Sequence, residues 1–407
     1  MKRWNIYTPE GVQDILFTSC RQKRQLEDKL RNIFRLNGYR ELETPTIEFY
    51  DAFSGDRGLI RQESMYKFCD SKGRLLVLRP DMTVPVARVA ATKLKEEDFP
   101  LKCCYIGNTF SFDELGGGRQ NEFTQAGCEI MGINTPEADA EVVAMAVEAV
   151  KATGIDDFQI DIGQVEFFKG LMEETGLTDE EVEEVRELID LKDFVGVEQV
   201  MDHHQVKEAI KTLILDLPKL FGSKDILQRI HYEDIGERAA KALLNIKAIL
   251  EILEDRNLAQ YVSIDLGMVQ SLNYYTGLVF RGYTYGVGFP ILSGGRYDEL
   301  VSKFGMKCEA TGFSLGVNMV LMALERQKKL QAPRDEGCLV TYESGARRSA
   351  SDLCRELIEQ GISAELYLGQ RGFENMDMEK IKSYALSKGI NRLIHINQNG
   401  SRREVAL

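Results

Sequence analysis

The stretch YIGNTFSFDELGGGRQNEFTQ, residues 105–125, decides the fold of this 407-residue chain. Apolar and polar residues alternate on both of its flanks, and three glycines at 116–118 separate them. This pattern predicts a strand, a glycine-rich turn and a second, antiparallel strand. The triple glycine alone says little about a ligand, since most such turns bind nothing.

The sequence of the second predicted strand, residues 121–131, indicates that one of its faces is polar. Side chains alternate along a strand, so Gln125 and Glu129 point to one side, and Gly127 between them leaves room for a ligand to approach. Such a face can hold a cationic amine and an imidazole. The alternative is that Gln125 and Glu129 are polar groups satisfied inside a sheet, and that Gly127 is a simple bulge.

Outward from this pair, the chain predicts a mostly antiparallel sheet with flanking helices. A strand at 39–48 is closed by Pro45, which favours a position at an edge or an interface because proline cannot donate to a sheet ladder. Residues 67–80 predict a hairpin around a Ser-Lys-Gly turn. Further elements are a helix at 21–35 ending at Asn37-Gly38, a helix at 137–154, and strands at 157–163, 261–267 and 273–300.

Residues from about 164 to 257 form a helical insertion within this core. Thr178 and Glu181 make a capping box, and Leu177 with Val182 a hydrophobic staple, at the start of one of its helices. From residue 331 strand and helix alternate, as parallel units do, and the chain ends soon after a third strand. We therefore predict an α+β core domain over 1–330 and a small C-terminal α/β domain over 331–407.

Composition excludes several classes of function. The chain has 43% hydrophobic and 28% charged residues and a formal net charge of -13, which disfavours binding to a polyanion such as RNA. The most basic stretch, 21–35, is either a solvated helix face or an RNA site, and its helical apolar spacing favours the solvated face. The N-terminus has no signal-peptide core and no apolar run is long enough to cross a membrane, so we expect a cytoplasmic protein.

Metal and cofactor chemistry are also disfavoured. The eight cysteines show no C-x-x-C spacing, so we expect reduced thiols and neither a zinc site nor a disulfide framework. His203 and His204, in the sequence DHHQ, have no cysteine or carboxylate at a ligand spacing and are interpreted as surface helix residues. We expect no metal and no other cofactor.

Several spaced motifs together resemble the histidyl-tRNA synthetase family. YRELETPTIE, the strand-turn-strand around Gln125 and the turn TGFSLGVNMVLMAL are similar, in order, to the three motifs of class II synthetases, and NYYTG and SGGRYDEL are similar to the family's own signature. TPEGVQDIL and LRPDMT fit it too. The resemblance spans nearly the whole chain and implies a class II aminoacyl-tRNA synthetase-like antiparallel sheet.

The departures from that family decide the predicted function. A synthetase activates its amino acid on ATP, and arginines stabilise the phosphorus centre and the leaving pyrophosphate. The family has arginines where this chain has Ser111, Gln270 and Asn318. Asn273 also replaces an acidic residue usual before the paired tyrosines. Losing one such donor typically costs about 100- to 1000-fold in rate, so little adenylation should remain.

The amino-acid pocket is better preserved. By resemblance, Asp81, Thr83 and Gln125 meet the α-amino group of histidine, and Glu129 and Tyr274 meet its ring. The resemblance also places Tyr275 and Arg119 in this histidine-binding set. Taken alone, Arg119 fits a salt bridge as well as it fits a phosphate contact.

This combination resembles the regulatory subunits of ATP phosphoribosyltransferase, which are paralogues of histidyl-tRNA synthetases. The resemblance implies a non-catalytic homodimer that joins short-form catalytic subunits in a hetero-octamer. The regulatory subunit is then required for activity and for feedback by histidine in the first step of histidine biosynthesis. The alternatives are an active histidyl-tRNA synthetase and a synthetase-like transferase that activates an amino acid for another acceptor.

Overall fold

The computed structural model describes residues 6–54, 61–112, 120–269, 274–330, 335–368, 378–405 and 407. The chain divides into two compact units, Met1–Leu330 and Gln331–Leu407. Within the described ranges no helix is both long and apolar enough to cross a membrane.

The first unit contains nine helices and twelve strands among its described residues. Its helices are α1 (Phe17–Leu36), α2 (Thr83–Lys93), α3 (Pro136–Thr153), α4 (Val165–Glu173), α5 (Asp179–Asp190), α6 (Phe194–His203), α7 (Glu208–Leu215), α8 (Gly236–Asp255) and α9 (Val317–Arg326). Its strands are β1 (Arg40–Glu41), β2 (Ile47–Phe49), β3 (Lys67–Cys69), β4 (Leu75–Leu78), β5 (Leu101–Phe110), β6 (Glu122–Met131), β7 (Phe158–Gln164), β8 (Phe221–Gly222), β9 (Val262–Asp265), β10 (Leu278–Thr284), β11 (Leu292–Arg296) and β12 (Ala310–Gly316).

A nine-stranded sheet dominates this unit, in the order β1-β5-β6-β12-β11-β10-β7-β9-β8. The pairs β1/β5 and β7/β9 are parallel and the others antiparallel, which matches the predicted mostly antiparallel sheet. β5 and β6 flank the predicted turn and pair from Leu101↔Met131 to Phe110↔Glu122. The α+β class is therefore confirmed.

The region predicted as one strand at 39–48 is two short strands in different sheets. β1 lies at the edge of the nine-stranded sheet, whereas β2 belongs to a three-stranded sheet of order β2-β4-β3. The single-strand prediction is wrong because Pro45, which has no backbone N–H, interrupts the ladder between them. The predicted hairpin at 67–80 is confirmed, and β3 and β4 form it.

Helix α1 buries Leu26, Leu30 and Phe34, as its apolar spacing predicts. The prediction that all its charges face solvent is wrong. Lys23 and Glu27 are also buried, and the Lys23 ammonium lies 2.6 Å from the Glu27 carboxylate. Their spacing of four residues lets the two charges neutralise each other on the packed face.

The helical insertion comprises α4 to α8 and the short strand β8. Its capping box is confirmed: the backbone N–H of Glu181 donates to the Thr178 hydroxyl, and the Glu181 carboxylate accepts from the Thr178 backbone. One hydrophobic cluster joins residues of these helices, such as Val185 and Ile214, to sheet residues such as Ile160. The insertion therefore shares the core of the sheet.

The second unit contains a four-stranded sheet of order β14-β13-β15-β16. Its elements are β13 (Asp335–Tyr342), α10 (Arg347–Glu359), β14 (Ala364–Leu366), α11 (Met378–Ser387), β15 (Ile390–Ile396) and β16 (Arg402–Val405). Strands β13, β14 and β15 are parallel to one another, as predicted. The fourth, β16, pairs antiparallel with β15 and was missed, because its sequence RREV has no apolar alternation and stays largely exposed.

Candidate functional site

A cavity of about 260 Å³ lies on one face of the nine-stranded sheet. It is somewhat smaller than the roughly 300–1,000 Å³ typical of sites for drug-sized ligands, which suits a ligand of amino-acid size. Strands β6, β11 and β12 contribute to its lining, together with residues that precede or begin α2 and with the segment before β10. The lining residues are Pro80, Asp81, Thr83, Ser111, Phe123, Gln125, Glu129, Tyr274, Tyr275, Ser293, Gly294, Tyr297, Gly312, Phe313 and Ser314.

Glu129 is the buried acid of this cavity, with 1% of its surface exposed. Its carboxyl group accepts hydrogen bonds from the hydroxyls of Tyr105, at 3.1 Å, and Tyr297, at 2.5 Å. Burial raises the pKa of Glu129 to about 8, although these two hydroxyls lower it. At neutral pH the ligand-free carboxyl group is therefore mostly protonated and can share its proton with an imidazole.

A second acid, Asp81, lies at the start of α2. Its carboxylate accepts from the backbone N–H of Val84 at 3.0 Å. Burial raises the pKa of Asp81, and backbone N–H groups of Val84, Thr83 and Met82 oppose that rise. The Gln125 side-chain oxygen accepts from the Met82 N–H at 3.3 Å, which ties this turn to β6.

Aromatic rings form one wall of the cavity. The rings of Tyr274 and Tyr297 are stacked with centroids 5.6 Å apart, and Tyr275 packs edge-on against Tyr274 at 4.7 Å. Hydrogen bonding with Thr83 lowers the pKa of both Tyr274 and Glu129, against the larger effect of burial. This aromatic wall favours a cationic or aromatic ligand packed against it.

The predicted role of Gly127 as an opening for a ligand is wrong. A Cβ atom at Gly127 would lie 2.3 Å from the Phe313 carbonyl oxygen and 2.5 Å from the Tyr105 hydroxyl. The missing side chain makes room for Tyr105, which is paired with Gly127 across β5 and β6. Gly312 has a similar role, because its Cβ would collide with the Glu129 carboxylate.

Six of the residues predicted for histidine binding therefore line one cavity. They are Asp81, Thr83, Gln125, Glu129, Tyr274 and Tyr275. The seventh, Arg119, lies outside the described residues, as do Gln270 and Asn273.

The other two positions where an arginine is replaced, Ser111 and Asn318, lie within the described residues. Ser111 lines the cavity, and its backbone N–H donates to the Asn121 carbonyl at 2.9 Å. The Asn318 amide donates to Gln120 at 2.7 Å and accepts from the Thr124 backbone N–H at 2.9 Å. The side-chain nitrogen and oxygen of Asn318 are thus both hydrogen-bonded within the protein.

Sequence reasoning missed Tyr105 and Tyr297 as partners of Glu129. Tyr105 could have been found, since it stands opposite Gly127 once the strand pairing is assumed. Tyr297 could not, because it is 168 residues from Glu129 and only the sheet order brings the two together. The prediction of surface positions for His203 and His204 agrees with their exposure, and His204 lies 3.0 Å from Glu181.

The arrangement is chemically suited to bind a small cation that also has a hydrogen-bonding ring. It offers two carboxyl groups, an amide and stacked phenols in one cavity. Among the described lining residues there is no lysine or arginine. In the same described part of the chain, no group of three or more His, Cys, Asp or Glu side chains could hold a metal ion.

Comparison with known proteins identifies the family. An ATP phosphoribosyltransferase regulatory subunit from Acetivibrio thermocellus is 57% identical over 97% of this chain and 94% of its own length. The chain belongs to the ATP phosphoribosyltransferase regulatory subunit family. A second member, from Ruminiclostridium cellulolyticum, is 49% identical over 98% of this chain and 94% of its own.

The fold of this regulatory-subunit family is that of class II synthetases. The histidyl-tRNA synthetase family model matches residues 11–320. A Bacillus halodurans structure titled an ATP phosphoribosyltransferase regulatory subunit/histidyl-tRNA synthetase superposes with a TM-score of 0.84 at 29% identity, covering 97% of this chain and 99% of that one. A Nostoc histidyl-tRNA synthetase, at 22% identity, has a TM-score of 0.80 over 99% of this chain and 97% of its own, and shares the fold.

Proposed function

We propose that this chain is a non-catalytic regulatory subunit of ATP phosphoribosyltransferase. In this role it is required for the activity of a short-form catalytic subunit and for feedback by histidine, in the first step of histidine biosynthesis and in the cytoplasm. The family of its relatives supports the role. The observation that carries the non-catalytic part is the engagement of Asn318 with Gln120 and Thr124, at a position where a synthetase presents an arginine.

Loss of adenylation follows from electrostatics. The transition state of amino-acid activation places negative charge on the α-phosphate and on the departing pyrophosphate. An amide committed to two internal hydrogen bonds, and a serine at position 111, contribute no positive charge to that site. The same argument disfavours both alternatives, an active histidyl-tRNA synthetase and a transferase that activates an amino acid for another acceptor, since both need ATP.

Histidine is the ligand that the cavity supports best. Its α-amino group is positioned against Asp81, Thr83 and Gln125, and its imidazole against Glu129 and Tyr274. The protonated Glu129 carboxyl group donates its proton toward the unprotonated nitrogen of a neutral imidazole. The pair therefore forms near neutral pH without taking up a proton from solvent or releasing one. Feedback then requires that histidine bind two states of the complex with different affinity.

A homodimer is supported by the outer face of the three-stranded sheet. Phe49, Leu76 and Phe68 lie in register across this face, and Ile47 and Leu78 form the next row. Ile47 and Phe49 are each about half exposed, at 49% and 48%. A contiguous apolar sheet face of this kind is typical of a protein interface. We propose that two copies pair here and join catalytic subunits in a hetero-octamer.

Two measurements test this function. In the first, the purified chain is assayed for histidine-dependent exchange of pyrophosphate into ATP, and we expect none above background. Exchange at a rate typical of synthetases, abolished by Glu129→Gln, contradicts the proposal and favours one of the two enzymes. In the second, the chain is mixed with a short-form catalytic subunit, and co-elution on gel filtration is expected.

Binding of histidine tRNA separates the two enzyme alternatives from each other. Specific binding at physiological salt, retained against bulk competitor tRNA, favours the synthetase. We expect only weak association that fades steeply with salt, because the net charge of -13 leaves only nonspecific phosphate contacts.

A further inference from the structure

A row of small and polar residues crosses the sheet from the cavity. Gly127 of β6 stands opposite Ser314 of β12, and Ser314 opposite Ser293 of β11. Ser293 in turn stands opposite Arg281 of β10, and Arg281 opposite Asp161 of β7. Directly opposed residues of antiparallel strands point to the same face of a sheet. Arg281 therefore shares the face on which Ser293 and Ser314 line the cavity.

Arg281 has no hydrogen bond or ion pair with any other residue that the structure describes. The neighbouring carboxylates have other partners: Asp161 accepts from the Ser263 hydroxyl, and Asp265 accepts from the Gly267 backbone N–H at 2.9 Å. The Arg281 side chain is only partly exposed. A partly buried guanidinium without a partner is available to a ligand anion.

The strand register sets Arg281 directly beside Ser293, which lines the cavity. The Arg281 charge lowers the pKa of Tyr275, which lines the cavity, in opposition to the larger effect of burial. Its charge also lowers the pKa of Asp265. Both directions agree with the position of Arg281 on β10, one strand beyond Ser293.

The cavity itself leaves an amino-acid ligand with one charge unmatched. Asp81 can accept a hydrogen bond from the ligand's amine, and Glu129 can hydrogen-bond to its ring. A ligand carboxylate placed beside Asp81 would instead meet a like charge and no cation, since no lysine or arginine lines the cavity among its described residues. Position 270, where the synthetases have an arginine, is a glutamine here and supplies no positive charge. A carboxylate is therefore best accommodated at the other end of the cavity, over Ser314 and Ser293 and toward β10.

We infer that Arg281 is the carboxylate-binding residue of this cavity and selects α-amino acids with a free carboxylate. The ligand lies with its amine at Asp81, its ring at Glu129, and its carboxylate across Ser293 toward the guanidinium. The inference rests on the proposed function, in which histidine is the ligand. It adds a specificity determinant on β10.

Calorimetry on the full-length chain tests this assignment with two probes, L-histidine and histidinol, the amino alcohol in which hydroxymethyl replaces the carboxylate. Arg281→Gln should weaken histidine binding by about 10- to 100-fold, as expected for loss of a charge-assisted contact, and change histidinol binding by less than about 3-fold. Arg355→Gln, at an exposed arginine of the second unit, is the matched control and should change neither affinity.

Three outcomes overturn the assignment. The first is that Arg281→Gln binds histidine as tightly as wild type. If Glu129→Gln still weakens histidine binding in that case, the proposed histidine pocket stands and only the role of Arg281 fails. Equal weakening of histidine and histidinol also overturns the assignment, since a contact with the carboxylate cannot affect an alcohol. A selective loss of histidine binding in Arg119→Gln, and not in Arg281→Gln, assigns the carboxylate to the other arginine. If wild-type chain binds no histidine, the proposed ligand fails as well.

Discussion

Replacing Glu129 with glutamine should change how the stability of the protein depends on pH. The carboxyl group has a pKa of about 8 in the folded chain and about 4.3 when unfolded. Between these values the folded chain retains a proton that the unfolded chain releases. The free energy of unfolding of the wild type therefore falls as pH rises through this window, and the contribution is largest at low pH.

The magnitude follows from the linkage relation. Each pH unit inside the window changes the free energy of unfolding by up to about 1.4 kcal/mol, so a rise from about pH 6 to about pH 8 should cost roughly 2 kcal/mol. Glutamine cannot ionise, so this part of the slope disappears in Glu129→Gln. At about pH 6 the variant should be less stable than wild type by about 1 kcal/mol, because its amide accepts the hydrogen bonds of the Tyr105 and Tyr297 hydroxyls less well than a carboxyl group does.

Other titratable groups around Glu129 do not confuse the comparison. Asp81, Tyr105, Tyr274, Tyr297 and Cys103 all interact with it electrostatically. These groups remain in both proteins, and burial raises the pKa of the three tyrosines and of Cys103 well above the pH range compared. The difference between the two pH profiles therefore reports Glu129 together with its coupling to Asp81.

Urea unfolding followed by circular dichroism at the two pH values provides the assay. The stability of Glu129→Gln relative to wild type should rise by roughly 2 kcal/mol between them. Glu63→Gln, at an exposed glutamate, is the control and should follow the wild type. Parallel profiles for wild type and Glu129→Gln would refute the claim that Glu129 keeps its proton near neutral pH.

Three further predictions concern ligand binding, lost chemistry and assembly. Glu129→Gln should weaken histidine binding by about 10- to 100-fold in calorimetry, as expected for one charge-assisted hydrogen bond, and unchanged affinity would exclude the cavity as the histidine site. Restoring arginine at positions 111, 270 and 318 together should raise ATP affinity modestly without pyrophosphate exchange at a synthetase rate, because the surrounding shell no longer supports catalysis; full exchange would contradict this. Phe49→Glu should convert the dimer to a monomer in analytical ultracentrifugation, whereas Phe221→Glu, at an exposed phenylalanine outside that sheet face, should not; a Phe49→Glu dimer would exclude this interface.

Much of the fold follows from local sequence. The alternation around residues 105–125 predicts β5 and β6, and it places Gln125 and Glu129 on one face because the side-chain period of a strand is two. The capping box at Thr178 and Glu181 predicts a helix start for a similarly local reason.

The remaining features depend on contacts that are distant in sequence. Tyr297 reaches Glu129 only because β12 pairs with β6 and β11 with β12, and no local pattern encodes that order. The role of Gly127 depends on where the Tyr105 hydroxyl lies across the strand pair. Burial of Lys23 with Glu27 likewise follows from the packing of α1 and not from its charge pattern. Each of these needs the assembled sheet.

The most direct test of the central claim is the rate of phosphoribosyl transfer by a short-form ATP phosphoribosyltransferase subunit, measured with and without this chain. The account predicts that the catalytic subunit is inactive or nearly so alone, becomes active when the chain is added, and is then inhibited by histidine. A catalytic subunit whose rate and histidine sensitivity are the same in the presence and absence of the chain would contradict it.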